Sequence, residues 1–351
     1  MDLNNIEGMR QIDQSNMLAE IQGLPDQLEH AYQLGLDLAL GEFDKIDRII
    51  VAGMGGSAIG ADLIAAYIEP MIKVPYFVQR DYSLPAWATG KHTLVICSSH
   101  SGNTEETIAA FNNAISNGCQ ILVISTGGKL VQMAKESHVQ TWMFEHKGQP
   151  RAAVGFSFGL LLALLFRLKL IPDPSRELQS AVQLMRQQQV EIDIATPVVK
   201  NPAKRLAGQL VDRWVMVVGS GSLAPVSRRW KGQFSEVAKA WAQFEFLPEL
   251  DHNTLAGVVN PDAMLKQIFV LFLKSKSDHP RNQLRTDITR QGFMLEGIGT
   301  DVFNVAGENR LESIWTAVHF GDYVAFYLAM SYGVDPTPVA AIEGLKIAMK
   351  A

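Results

Sequence analysis

Residues 96–107 read ICSSHSGNTEET, and the fold is decided here. Just before the serines, Leu94-Val95-Ile96-Cys97 forms an apolar run that reads as a buried strand. Just after them, EETIAAFNNAISNG has helical spacing and ends on Asn117-Gly118, a good C-cap. Between the two stand Ser98, Ser99, Ser101 and Thr104 around Gly102. A helix N-terminus presents unpaired N–H groups and the positive end of its dipole. Hydroxyls gathered there make a neutral cradle for a dianion, and Gly102 permits the tight turn with positive φ. The plain alternative is that Ser101 or Thr104 merely caps the helix. Ser99, Ser101 and Thr104 together favour a phosphate.

Working outward, the same layout recurs. DRIIVAGMGGS (47–57) reads as a strand and a glycine loop, followed by a helix from Ala58 to Tyr67. VPYFVQ (74–79), QILVIST (120–126) and VQTWMF (139–144) are further short strands, with a helix over 129–137. Strand–helix–strand at this spacing implies parallel pairing and right-handed crossovers. Residues 171–201 are polar, helix-prone and bounded by prolines, after which the pattern restarts. RWVMVVGSGSLAP (213–225) echoes RIIVAGMGGSAIG, and IFVLFLKS (268–275), a helical stretch near 279–293 and DVFNVAG (301–307) follow. Long helical patterns cover 310–331 and 339–350. The expected organisation is an N-terminal helical arm (1–45), a first α/β subdomain with the anion loops (46–170), a helical linker (171–200) and a second α/β subdomain (201–351). Each subdomain is expected to be a doubly wound, mainly parallel sheet flanked by helices.

The second glycine loop, GMGGSAIG (53–60), fits the loose dinucleotide pattern G-x-G-x-x-G/A. The strand that follows ends in Gln79-Arg80, without the acid expected for NAD, although an arginine could accept an NADP phosphate. If both loops lie at the carboxyl ends of neighbouring parallel strands, Gly55, Gly56 and Ser57 converge with Ser99, Ser101 and Thr104 on one crevice. Two such loops suit a compact phosphate better than a dinucleotide.

The 351 residues carry a net charge of −5, with 47% hydrophobic and 19% charged residues. This gives no general attraction to nucleic acid or an anionic membrane, so any anion must be held by local dipoles and single cations. The two cysteines, Cys97 and Cys119, read as small buried thiols in a reducing compartment. The apolar run from Ala152 to Phe166 is shorter than the roughly 20 residues that span a bilayer and reads as a buried helix. The polar N-terminus lacks a signal peptide's apolar core. A soluble, cytoplasmic protein is expected, with no nucleic-acid or membrane partner.

VAGMGGSAIG followed about forty residues later by SSHSGNTEET resembles the sugar isomerase (SIS) domain. QPRAAVG (149–155), KGQFSEVAKAWAQFEFLPELDHNTLAG (231–257) and DPTPVAAIEGLK (335–346) narrow the resemblance to the bifunctional phosphoglucose/phosphomannose isomerases. It spans nearly the whole chain. The sequence departs from the family at His100, where tyrosine is common, and at Ser235, where asparagine often precedes the glutamate.

The resemblance implies two SIS-type, flavodoxin-like subdomains. It also implies an aldose–ketose isomerase acting on glucose, mannose and fructose 6-phosphates through a cis-enediolate, with a place in glycolysis or gluconeogenesis. By resemblance Glu236 removes the C2 proton; on residues alone it is an ordinary helix-face glutamate within reach of Lys239. His252, in PELDHNT, would serve ring opening from the neighbouring subunit of a homodimer; a bystander paired with Asp251 is the alternative. Arg151 would stabilise the enediolate, and its cation at the start of a helix opposes the dipole, which favours function over surface decoration. By resemblance Lys346 assists His252, although a lysine late in a C-terminal helix is expected from the dipole alone. Thr337 is a candidate for specificity. The substrate phosphate falls to Gly55, Gly56, Ser57, Ser99, Ser101 and Thr104. No cofactor and no metal is expected, since no HxxxH or CxxC spacing occurs. Two competing functions remain: a non-catalytic SIS sugar-phosphate sensor, which needs none of Arg151, Glu236 and His252, and an NADP oxidoreductase built on GMGGSA.

Overall fold

The computed structural model describes residues 2–349. The chain begins with two short helices, α1 (Ile6–Ile12) and α2 (Met17–Gln22). These belong with the C-terminal half: one compact unit is residues 23–182, the other residues 2–22 together with 183–349. We call them the first and second unit.

The first unit opens with α3 (Leu24–Asp37), which starts after Gly23 with Pro25 in its first turn, where a missing N–H costs nothing. Then follow β1 (Arg48–Ala52), α4 (Gly55–Ile68), β2 (Tyr76–Gln79), β3 (Thr93–Ser99), α5 (Glu105–Ser116), β4 (Gln120–Ser125), α6 (Gly128–Glu136), β5 (Gln140–Met143) and α7 (Val154–Arg167). All strand pairs are parallel, in the order β2-β1-β3-β4-β5. The central strand β3 is buried along its whole length, as a parallel strand covered on both faces must be. Ile50, Val95, Cys97 and Val123 on the sheet pack with Phe111 and Ala114 of α5 and Leu130 of α6.

The apolar run at 152–166 forms α7, buried from Val154 to Leu165. Among the described residues no helix is long and apolar enough to cross a membrane. Its glycines serve close packing: a Cβ on Gly159 would lie 2.9 Å from the backbone nitrogen of Tyr32, and one on Gly155 3.1 Å from that of Leu28. Each mid-helix glycine costs about 1 kcal/mol relative to alanine, a cost the tight α3–α7 contact offsets.

The division falls inside α8 (Ser175–Ile192). The second unit continues with α9 (Pro202–Leu210), β6 (Trp214–Ser220), α10 (Ala224–Glu236), β7 (Ala242–Leu247), α11 (Asp262–Leu265), β8 (Ile268–Lys274), α12 (Pro280–Leu295), β9 (Gly299–Asn304), α13 (Arg310–Tyr332) and α14 (Ala340–Ala348). Its four strands are again parallel, in the order β7-β6-β8-β9. That is the first unit's order without its fifth strand. Helix α13 is buried from Leu311 to Met330 and packs on α2, α9 and α10 of the same unit.

Three features differ from the sequence reading. Residues 1–45 do not form one arm: α1 and α2 belong to the second unit, whereas α3 buries Leu28, Ala31 and Tyr32 in the first. The expected linker at 171–200 is largely the long α8, shared between the units at residue 182. FSEVAKAW is not one helix. Helix α10 stops at Glu236, Lys239 takes a left-handed φ of 56°, and Ala242–Leu247 is a strand. The expected final helix is seen as α14; Lys350 lies outside the described residues.

Candidate active site

In the first unit both glycine loops leave adjacent strands. Ala52 of β1 is in register with Cys97 of β3, so the two loops emerge side by side at the strands' carboxyl ends. Gly53 and Gly56 are demanded by contact. A Cβ on Gly53 would sit 2.8 Å from the Ser98 carbonyl oxygen, and one on Gly56 2.5 Å from that of Pro150. Gly55 has φ +49°, and Ser57 in the first turn of α4 is buried.

The serine loop is ordered by its own hydroxyls. Ser99 Oγ lies 2.9 Å from Thr104 Oγ1 and accepts the Gly102 N–H at 3.1 Å. Ser101 Oγ accepts the Asn103 N–H at 3.2 Å and stays exposed. Thr104 occupies the N-cap position of α5, yet its side chain makes no capping hydrogen bond. Simple capping therefore does not account for it. Gly102 has φ +64°, and a Cβ there would lie 1.7 Å from the Gly127 carbonyl oxygen.

Arg151 joins this crevice. It sits in a 3-10 turn (Pro150–Ala152) ahead of α7, is 5% exposed, and its Cα lies 3.6 Å from where a Cβ on Gly56 would be. Its guanidinium reaches Gln149 Oε1 at 3.5 Å. A buried arginine ahead of α7, its backbone against the α4 loop, brings a fixed positive charge to the same unit as the neutral donors. Gly55, Gly56, Ser57, Ser99, Ser101, Thr104 and Arg151 are thus gathered in one unit. Arg80, the candidate NADP ligand, is engaged otherwise: it pairs with Asp62 and donates to the Ala58 carbonyl at 3.1 Å. Burial pushes the Cys97 thiol far above its ordinary pKa and raises that of Cys119, so both remain thiols.

His146 belongs to none of the sequence motifs. Its Nδ1 lies 2.9 Å from Nε2 of His100, in the serine loop. His100 also meets Phe144 edge-on, and Phe144 stacks on Phe156 of α7. The forty-odd residues between the two histidines hide this pair from any local spacing rule.

The second unit carries Glu236, His252, Thr337 and Lys346. Glu236 ends α10, which is fixed to α13 in two places. Trp230 donates to the Ala317 carbonyl at 2.9 Å beside Gly321, and Arg229 pairs with Asp322 at 2.6 Å, both groups buried. Lys239 donates to the carbonyls of both Glu236 and Pro336. It therefore brings the end of α10 to the Asp335–Thr337 turn, where the Thr337 N–H donates to Asp335 Oδ1 at 2.9 Å. Lys239 thus uses its ammonium to bridge two carbonyls, a role that helical spacing does not reveal.

His252 lies in a 3-10 turn (Glu249–His252) and is exposed. Asp251 is committed elsewhere: it accepts from Arg285 and Thr289 of α12, each at 2.7 Å. Thr254 donates to Glu245 Oε1 of β7 at 3.1 Å. The turn is thus anchored on both sides while the imidazole faces outward. Lys346 rides on α14, which has no buried residue. A cleft of about 730 Å³ beside β9, lined by Arg205, Gln209, Asp301 and Phe303 among others, contains none of these candidates.

Residues 42–167 match the SIS domain family, and residues 199–349 match the bacterial phospho-glucose isomerase C-terminal SIS domain. The chain is 37% identical to the bifunctional phosphoglucose/phosphomannose isomerase of Caldicellulosiruptor bescii, over 94% of this chain and 98% of that one. It is 36% identical to the protein of that name from Aquifex aeolicus, over 86% of this chain and 90% of the relative. Among solved structures, the C-terminal domain of glucosamine-fructose-6-phosphate aminotransferase from Francisella tularensis has the same fold. Its TM-score is 0.72 at 15% identity, covering 92% of this chain and 97% of that one. With two parallel-sheet units, serine and glycine loops at neighbouring strand ends and this similarity along the whole chain, the protein belongs to the bifunctional phosphoglucose/phosphomannose isomerase family.

Proposed function

We propose that the loops of the first unit hold the phosphate of a hexose 6-phosphate while Glu236 moves the proton at C2. Glucose 6-phosphate and mannose 6-phosphate thereby interconvert with fructose 6-phosphate. As a member of its family the chain is an isomerase. What supports the substrate class is that the loops carrying Gly55–Ser57 and Ser99, Ser101 and Thr104 leave neighbouring strand ends, with the backbone of the buried Arg151 against Gly56. Neutral donors at the starts of α4 and α5 suit a phosphate in an acidic protein.

The chemistry follows from the residue types. After ring opening, the Glu236 carboxylate takes the C2 proton; the C–H electron pair forms the C1–C2 double bond, and the aldehyde oxygen becomes the enediolate oxygen. Arg151 stabilises that oxygen as its charge develops. Protonation at C1 and loss of the C2 hydroxyl proton give the ketose. Because C2 becomes planar, the glucose and mannose configurations converge on one intermediate, so a single base serves both sugars. His252 handles the ring-oxygen proton, with Lys346 assisting and Thr337 shaping specificity. The exposed position of His252 on an anchored turn fits a histidine offered to the neighbouring subunit of a homodimer. This activity places the chain in glycolysis or gluconeogenesis in a cytoplasmic setting. A purely sensing module would have no use for Glu236 at the end of a helix bolted to α13.

The test is a coupled assay on fructose 6-phosphate that detects glucose 6-phosphate and mannose 6-phosphate separately, with chelator present. Both products are expected. Glu236→Gln is expected to abolish turnover while phosphosugar binding survives; turnover retained in that variant would show the base to be another group.

A further inference from the structure

Helix α10 ends at Glu236, and the last carbonyls of a helix have no partner within it. Val237 and Ala238 follow, both buried, and their N–H groups donate to the Gln233 carbonyl at 2.8 and 3.4 Å. Lys239 comes next with φ 56°, and the Ala240 N–H returns to the Phe234 carbonyl at 2.9 Å. The turn is thus fixed on both sides of Lys239, and it brings the ammonium back over the helix end. There Nζ donates to the Glu236 carbonyl at 2.5 Å, a cation at the negative end of the helix dipole.

The same ammonium donates to the Pro336 carbonyl at 3.1 Å. Pro336 lies between the end of α13 and the start of α14, in the turn where the Thr337 N–H donates to Asp335 Oδ1. This segment carries Thr337 and leads into the helix of Lys346. Helix α14 has nine residues and none of them is buried. So short a helix does not hold in isolation, and its placement depends on the turn that delivers it. A glycine takes a left-handed φ without steric cost, and one does so where α13 ends, at Gly333 with φ 68°. Lysine accepts the less common backbone conformation and supplies two hydrogen bonds that glycine cannot.

We propose that Lys239 is a positioning residue for the isomerisation. One ammonium sets the segment of Thr337 and Lys346 against the helix end that bears Glu236. It acts through the two carbonyls and takes no part in proton transfer. This rests on the reading of Glu236 as the base, with Thr337 and Lys346 in the same chemistry.

The test compares three variants of the full-length chain. Lys239→Met keeps the stem and removes the charge, Lys239→Gly keeps the left-handed turn and removes the ammonium, and Lys239→Arg keeps a cation with donors. Hydrogen exchange without substrate reads the tie itself. Peptides spanning residues 334–345 are expected to exchange about tenfold faster in Lys239→Met and Lys239→Gly, with those of α13 unchanged. Lys239→Arg is expected to exchange at the parental rate. Steady-state kinetics on fructose 6-phosphate reads the use of the tie. In Lys239→Met and Lys239→Gly, kcat is expected to fall by about 10- to 100-fold, as for a misplaced catalytic group. KM is expected to stay within about twofold of the parent, and Lys239→Arg to restore most of kcat. Parental exchange in both Lys239→Met and Lys239→Gly overturns the proposal. So does faster exchange with parental kcat, which would make the tie purely structural. A variant that fails to fold shows in its urea unfolding curve, and the other two still decide. If the parent chain turns over no hexose 6-phosphate, the functional reading fails and the positioning role with it, while exchange still shows whether the tie exists.

Discussion

Arg151 shows how far a single residue's chemistry can be read from its neighbours. A cation at the start of a helix is electrostatically misplaced, and the structure resolves the misfit by burying it against the α4 loop. Arg151→Met is expected to lower kcat for fructose 6-phosphate by about 100- to 1,000-fold, the usual loss for a donor to a developing oxyanion. Arg151→Lys keeps the charge without the planar fork, and is expected to recover about tenfold of that. Steady-state kinetics on both variants decides; a loss confined to KM would make Arg151 a ground-state binder. Other residues at this scale were out of reach of sequence. Asp251 lay beside His252 and invited pairing, whereas its partners Arg285 and Thr289 are more than thirty positions away. The His100–His146 contact and the carbonyl bridging by Lys239 are likewise products of tertiary placement.

At the scale of elements, strands with a continuous apolar run that end in serine or stand directly before glycine or serine were legible, because burial on both faces leaves little other composition for their middles. β1, β3, β4, β6 and β8 are of this kind. β7 was not. Its AQFEFL alternates, only Ala242 and Leu247 are buried, and it follows a helix whose period runs on in sequence past its actual end at Glu236. The break depends on Lys239 adopting a left-handed conformation, for which a lysine gives no warning. The Gly102 turn was foreseeable from its residue type and is testable. Gly102→Ala forces a methyl into the Gly127 carbonyl as well as a left-handed φ on alanine. It is expected to cost about 1–3 kcal/mol in stability and to raise the dissociation constant for inorganic phosphate. Urea unfolding and phosphate titration check the two effects; unchanged phosphate affinity in a folded variant would separate the turn from the anion site.

For the molecule as a whole, two buried groups give opposing dependences on pH. His319 of α13 is fully buried and bonded to the Ile21 carbonyl at 3.0 Å, and burial lowers its pKa to about 4 from 6.5. The folded state thus binds fewer protons than the unfolded one, so its contribution is present above pH 6.5 and lost as pH falls toward 4. Asp278, raised to about 6 from 3.8, acts in reverse: its contribution is present below pH 3.8 and lost as pH rises toward 6. Between these limits the slopes offset one another. Asp278→Asn is expected to uncover the histidine's effect, steepening the rise of unfolding free energy from pH 4.5 to 6.5 by up to about 1.4 kcal/mol per pH unit. Urea denaturation across that range is the measurement, and parallel curves for variant and parent would show that Asp278 does not take up a proton in the folded state. The closed burial of α13 has a further consequence for how the second unit moves. A rod shut off from solvent along twenty residues cannot yield without the unit around it opening, so compliance is left to the periphery. His252, on a 3-10 turn, and Lys346, on a helix with nothing buried, both sit there. If His252 and Lys346 handle protons as proposed, they ride on the soft rim of a stiff hub, while the helix that ends in Glu236 is fixed to that hub.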